Sequence, residues 1–104
     1  MTSIFKALAD PTRRQVLQML RAGPMTAGAL ADAFDVSKPT MSAHFAVLVA
    51  ADLIGAEKSG RTIMYRLKMS VLEEALMDFA QAFGLKIAAT PPATTADKNK
   101  KETS

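Results

Sequence analysis

The sequence predicts a mainly α-helical domain with one small β-hairpin set between its fourth and fifth helices. Three observations predict it. From residue 3 to 53 the chain breaks into short apolar patterns of helical period, most of them opened by a residue suited to capping a helix start. Residues 54–58 and 62–68 are instead β-prone runs joined by Ser59-Gly60-Arg61. A further helical pattern follows, and then an end rich in Pro, Thr and Lys with almost no bulky residue. A chain of 104 residues is then one folded domain over residues 1–84 and a disordered polar tail over 85–104.

The elements are justified in chain order. Residues 3–9 make a short helix with Ile4, Phe5 and Leu8 on one face. Asp10-Pro11 stops it and restarts the chain, with Asp10 as cap and Pro11 at the first helical position. The second helix, 11–22, turns Val16, Leu17 and Leu20 to the core and leaves Arg13, Arg14, Gln18 and Arg21 outside that stripe, as solvated or phosphate-facing residues. Gly23-Pro24 ends it. Thr26 is the next cap, and 27–34 is an alanine-rich third helix with Leu30 and Phe34 four apart.

Ser37 opens the fourth helix, over 37–53. Pro39 falls in its first turn, where a missing N–H costs nothing. Met41, Phe45, Leu48 and Val49 share one face; Lys38, Thr40, Ala43, His44 and Val47 fall on others. Two helices joined by so short a turn, the second capped and basic at its start, have the layout of a helix-turn-helix. The hairpin after it carries Lys58, Arg61 and Arg66 around its tip and flank and reads as a wing. Ser70, within Ser70-Val71-Leu72-Glu73, is expected to cap the fifth helix, 71–83, whose Leu72, Leu76, Phe79 and Phe83 recur at spacings of four, three and four.

Composition removes several function classes. With no cysteine and one histidine, thiolate redox chemistry and a multi-histidine zinc site within the chain are excluded, so no metal or other cofactor is expected. There is no glycine-rich phosphate loop and no nucleophile–base arrangement, so an enzyme is not expected. No apolar run approaches the ~20 residues of a membrane span. The first residues lack a signal-peptide layout, so a cytoplasmic protein is expected. The net charge of +3 is unevenly placed: residues 1–84 hold nine Lys/Arg against eight Asp/Glu, and 85–104 hold four Lys against two acids. A near-neutral body argues only weakly for nucleic acid, so that case rests on where the charges lie. A protein-interaction module on the same scaffold, without DNA binding, is the competing reading.

The assembled pattern is familiar. A-L-A-D-P-T-R-R-Q-V-L-Q-M-L at 7–20, S-K-P-T-M-S-A-H-F-A-V-L-V-A-A-D-L-I at 37–54 and G-R-T-I-M-Y-R-L at 60–67 resemble, in register, the opening, the recognition helix and the wing of the ArsR-type transcriptional repressors. The resemblance spans about residues 3–84 and implies a winged helix-turn-helix that dimerises through its first and last helices, and a repressor of double-stranded DNA. It does not carry over the family's metal sites. The third helix reads G-A-L-A-D-A-F without cysteine, and the last offers Glu73, Glu74 and Asp78 without histidine. The chain is in this respect similar to the cysteine-free, autorepressor-like branch. No effector is named by any of these residues.

The candidate DNA-binding residues are Ser37, Lys38, Thr40, Ser42, His44, Lys58 and Arg61. Those on the helix lie in its first turns, where short polar groups reach a major groove. His44, whose alternatives are a metal ligand, a pH-sensitive group or a structural ring, is favoured as a DNA contact because the resemblance places a histidine there. The candidate dimer interface is Ile4, Phe5, Leu8, Leu72, Leu76, Phe79 and Phe83. The core is already supplied by Val16, Leu17, Leu20, Leu30, Phe34, Phe45 and Leu48, so this second apolar set calls for a partner surface, a second copy of the chain.

Overall fold

The structure, a computed structural model, describes residues 2–86. All of the tail expected over 85–104 except Leu85 and Lys86 lies outside the described residues. The elements run α1 (Thr2–Leu8), α2 (Pro11–Leu20), β1 (Met25–Thr26), α3 (Ala27–Asp32), α4 (Lys38–Ala50), β2 (Ile54–Ser59), β3 (Thr62–Leu67) and α5 (Met69–Ala82).

Three helix starts form as their side chains dictate. The Asp10 carboxylate accepts from the backbone N–H of Thr12 at 2.7 Å and of Arg13 at 3.2 Å. Thr26 Oγ1 accepts from Ala29 N–H at 3.1 Å, and Ser37 Oγ from Thr40 N–H at 3.3 Å. Each bond satisfies a donor that the first helical turn leaves without a partner. The fourth expected cap does not form. Ser70 lies inside α5, whose N-cap position is Lys68, and Lys68 makes no side-chain cap. Tertiary contacts override the local signal. Lys68 N–H donates to Leu53 O at 2.9 Å and its Nζ to Asp52 Oδ1 at 2.6 Å. The end of β3 is pinned there, and the chain enters α5 before the serine is reached.

The sheet has one strand more than the sequence predicts. β1 pairs antiparallel with β3, Met25 opposite Tyr65 and Thr26 opposite Met64, giving the order β1-β3-β2. A two-residue strand carries no periodicity to read, and it forms because β3 offers it an edge. The expected hairpin is therefore a three-stranded sheet, which meets the need of a bare hairpin for support. Within β3, Tyr65 is buried and Ile63 and Leu67 half-buried, as their alternation requires.

The core lies where α2, α3, α4 and the sheet meet. Val16, Leu30, Met41, Leu48, Leu53 and Ile54 are its largest fully buried side chains, each stabilising by about 1.5–3 kcal/mol relative to exposure. Phe45 of α4 lies against Tyr65 of β3, ring centroids 4.8 Å apart, and burial pushes the Tyr65 phenol above its ordinary value of 10.0. This contact ties α4 to the hairpin.

Several boundaries and one face differ from expectation. The second, third and fourth helices end at Leu20, Asp32 and Ala50 rather than at 22, 34 and 53. Phe34 still packs against the core from beyond α3. In α4, Val49 is 40 % exposed while Val47 is half-buried against the core. The second half of α4 is apolar all round, so its period did not mark a face. Tertiary packing of α4 against the core decides which valine is covered. A Schellman closure ends α4: Asp52 N–H bonds Val49 O and Leu53 N–H bonds Leu48 O, with Asp52 at φ 63°, a conformation Asp tolerates.

Candidate nucleic-acid interface

The first turns of α4 present an exposed polar surface above a buried apolar one. Met41, Phe45 and Leu48 anchor the helix, while Ser37, Lys38, Thr40 and Ser42 are exposed. Two of these hydroxyls are linked. Ser37 O–H donates to Thr40 Oγ1 at 2.9 Å while Ser37 Oγ accepts from Thr40 N–H. Ser37 is thereby committed to holding the helix start, and the Thr40 hydroxyl keeps its own proton to donate outward. Lys38 adds a flexible cation beside it.

His44 lies one turn beyond Thr40 and is half-buried. Its Nδ1 is 3.2 Å from Nη1 of Arg13. Arg13, expected to be a solvated or phosphate-facing residue, is half-buried. Its Nε donates to Ala7 O at 2.9 Å and its Nη2 to Lys6 O at 2.8 Å. Arg14 Nη1 donates likewise to Leu8 O at 2.7 Å. Both arginines satisfy carbonyls at the C-terminal end of α1, where cations are favoured. No local sequence signal pairs residues 13 and 44. Asp10 is close by: partial burial raises its carboxyl, but the Arg13 and Thr12 N–H donors and the neighbouring His44 and Arg13 outweigh this and hold it below the usual 3.8.

The wing tip is a two-residue turn. Ser59 pairs with Thr62, leaving Gly60-Arg61 as the link. Gly60 has φ 60° and only it needs the left-handed region, as in a II′ turn, so Arg61 stands exposed at the apex. Lys58 is exposed on β2 opposite Ile63. Arg66 is farther back and faces Glu57 at 3.7 Å, a surface pair of little energy. The structure thus places cations or polar groups at two projections, the α4 start and the β2–β3 tip.

A helix-turn-helix domain model matches residues 8–54. The chain is 42 % identical over 76 residues to the transcriptional repressor SdpR of Bacillus subtilis, covering 73 % of this chain and 84 % of that protein. The chain belongs to the ArsR family of winged helix-turn-helix transcriptional regulators. It is also 36 % identical to an arsenical resistance operon repressor of Staphylococcus xylosus, over 70 % of each chain. A solved ArsR-like transcriptional regulator from Rhodococcus superposes with a TM-score of 0.68 at 31 % identity, over 80 % of this chain and 77 % of that one. The ArsR family is one of DNA-binding regulators.

A second surface of this ArsR-family chain is apolar. α5 buries Ala75 and Ala80 and turns larger residues outward: Leu76 and Phe79 are each 38 % exposed, and Phe83 at its C-cap 68 %. Phe5 of α1 meets Phe79 at 5.0 Å between centroids, and Phe79 meets Phe83 at 4.9 Å. Ile4, Leu8 and Leu72, expected on the same face, are partly buried against the core of their own chain. Among the described residues no group of three or more His, Cys, Asp and Glu is placed to hold a metal ion, and no helix is long and apolar enough to cross a membrane.

Proposed function

We propose that this chain is a cytoplasmic, homodimeric transcriptional repressor that uses no metal and binds an inverted-repeat operator near its own gene. The observation that carries the reading is the exposed, capped start of α4, held over the core by Met41, Phe45 and Leu48. Such a helix end fits a major groove, and a two-fold dimer would offer two of them to successive grooves about 34–36 Å apart. Lys38, Thr40, Ser42 and His44 supply helix contacts, Lys58 and Arg61 wing contacts, and Ser37 holds the helix start. The Leu76, Phe79 and Phe83 surface with Phe5 supplies the dimer contact, with Ile4, Leu8 and Leu72 beneath it. Repression is the activity named for the SdpR and arsenical-operon relatives.

The test is titration of the purified protein against its own upstream DNA and against random DNA of equal length. A specific complex with two protomers per site is expected. Equal affinity for both DNAs, with the dimer intact, would favour the interaction-module reading.

A further inference from the structure

We propose that Arg13 is a positioning residue for DNA reading: it fixes the His44 ring so that Nε2–H is offered to an acceptor on the operator. This rests on the reading above that His44 contacts DNA.

The argument starts from donor chemistry. A guanidinium has five N–H donors and no acceptor. Its Nη1 lies 3.2 Å from His44 Nδ1, so the bond requires a lone pair on Nδ1. A neutral imidazole carries one ring proton, and that proton is then on Nε2. Arg13 is itself held, because Nε and Nη2 are fastened to the carbonyls of Ala7 and Lys6 at 2.9 and 2.8 Å. Two points of attachment aim Nη1, and the planar fork makes the aim specific in a way lysine cannot copy. The backbone of Arg13 is also fixed, since its N–H donates to the capping carboxylate of Asp10 at 3.2 Å. The ring so oriented lies one helical turn from the Thr40 hydroxyl, whose proton is also free to donate. The α4 start then offers two neutral donors one helical turn apart. That pattern suits acceptor atoms in a groove, a guanine O6 or N7, a thymine O4, or a phosphate oxygen beside them.

The sequence makes the test clean, because His44 is the one histidine of the chain. Nitrogen-15 NMR of the free protein at neutral pH should show an acceptor-type Nδ1 and a protonated Nε2. In Arg13→Ala some of the other tautomer should appear. A wild-type ring with its proton on Nδ1, or on both nitrogens, overturns the proposal even if no Arg13 variant folds. The binding arm compares Arg13→Ala in two backgrounds. A glutamine carries its amide N–H₂ where histidine carries Nε2, and it needs no tautomer. We expect Arg13→Ala to weaken operator binding about tenfold in wild type, the size of one lost polar contact, and by much less in His44→Gln. An equal loss in both backgrounds would make Arg13 only a clasp for α1 and overturn the positioning role. If His44→Ala binds the operator as wild type does, the contact reading itself fails and the proposal falls with it. A base acceptor and a phosphate are separated by random DNA: loss confined to the operator marks a base contact, and equal loss on both DNAs marks a phosphate.

Discussion

α4 and α5 are nearly equal in length, 13 and 14 residues, and they make opposite use of their apolar residues. α4 turns Met41, Phe45 and Leu48 inward and leaves polar groups at its exposed start. α5 turns Ala75 and Ala80 inward and leaves Leu76, Met77 and Phe79 outside. Their starts differ too, since Ser37 caps α4 while α5 has no side-chain cap. α4 is therefore completed within its own chain, and its polar side is free for a ligand. α5 is packed against the core at its first turn by Val71 and Leu72, and beyond that Leu76, Met77 and Phe79 stay exposed among the described residues, with Phe79 covered in part by Phe5. A helix that buries its small residues and exposes its large ones is organised for a second surface.

The comparison breaks first at the core. Leu48→Ala removes a fully buried side chain from α4 and should lower the unfolding free energy by about 2–5 kcal/mol, read by urea denaturation. Phe79→Glu should remove the ring contacts with Phe5 and Phe83 but keep the fold of one chain, because the position lies outside the buried core. It should abolish the proposed dimer, where the charge would be buried unpaired. Circular dichroism should keep its helical signal while sedimentation shifts to the monomer; an unchanged dimer would place the interface elsewhere.

Smaller effects sharpen the α4 side. Thr40→Val keeps the shape and removes the outward hydroxyl, and should narrow the gap between operator and random DNA by roughly 1–3 kcal/mol. Arg61→Ala should act differently, because a cation at a turn apex reaches phosphates. Affinity for both DNAs should fall together, and the slope of log K against log salt should flatten by about one per protomer. An unchanged slope would remove the wing from the binding surface. The smallest effect concerns metals. With no thiol and one histidine, zinc, cadmium or arsenite at low micromolar concentration should not release the operator stoichiometrically; a loss reversed by chelator would show otherwise.

What the sequence determined by itself is what short-range chemistry determines. Asp10, Thr26 and Ser37 each cap a helix by reaching an N–H two or three residues ahead, and Gly60 takes the positive φ that a two-residue turn needs. The alternation of Ile63, Tyr65 and Leu67 set the inner face of β3. Position in the first turns of α4 and at the wing tip picked out the expected contact residues, and resemblance then carried the family and the favoured role of His44. What only the tertiary structure decided depends on residues far apart in the chain. β1 exists because Met25 meets Tyr65. Ser70 loses its capping role because Leu53 and Asp52 hold Lys68 first. Val47 is covered and Val49 is not because the core packs on one side of an evenly apolar helix end. Arg13 meets His44 across 31 positions, and no periodicity or cap rule extends that far. Local hydrogen bonds are satisfied within a turn of helix and leave their mark in neighbouring residues. The pairing of distant polar groups is settled only when the core has brought their elements together.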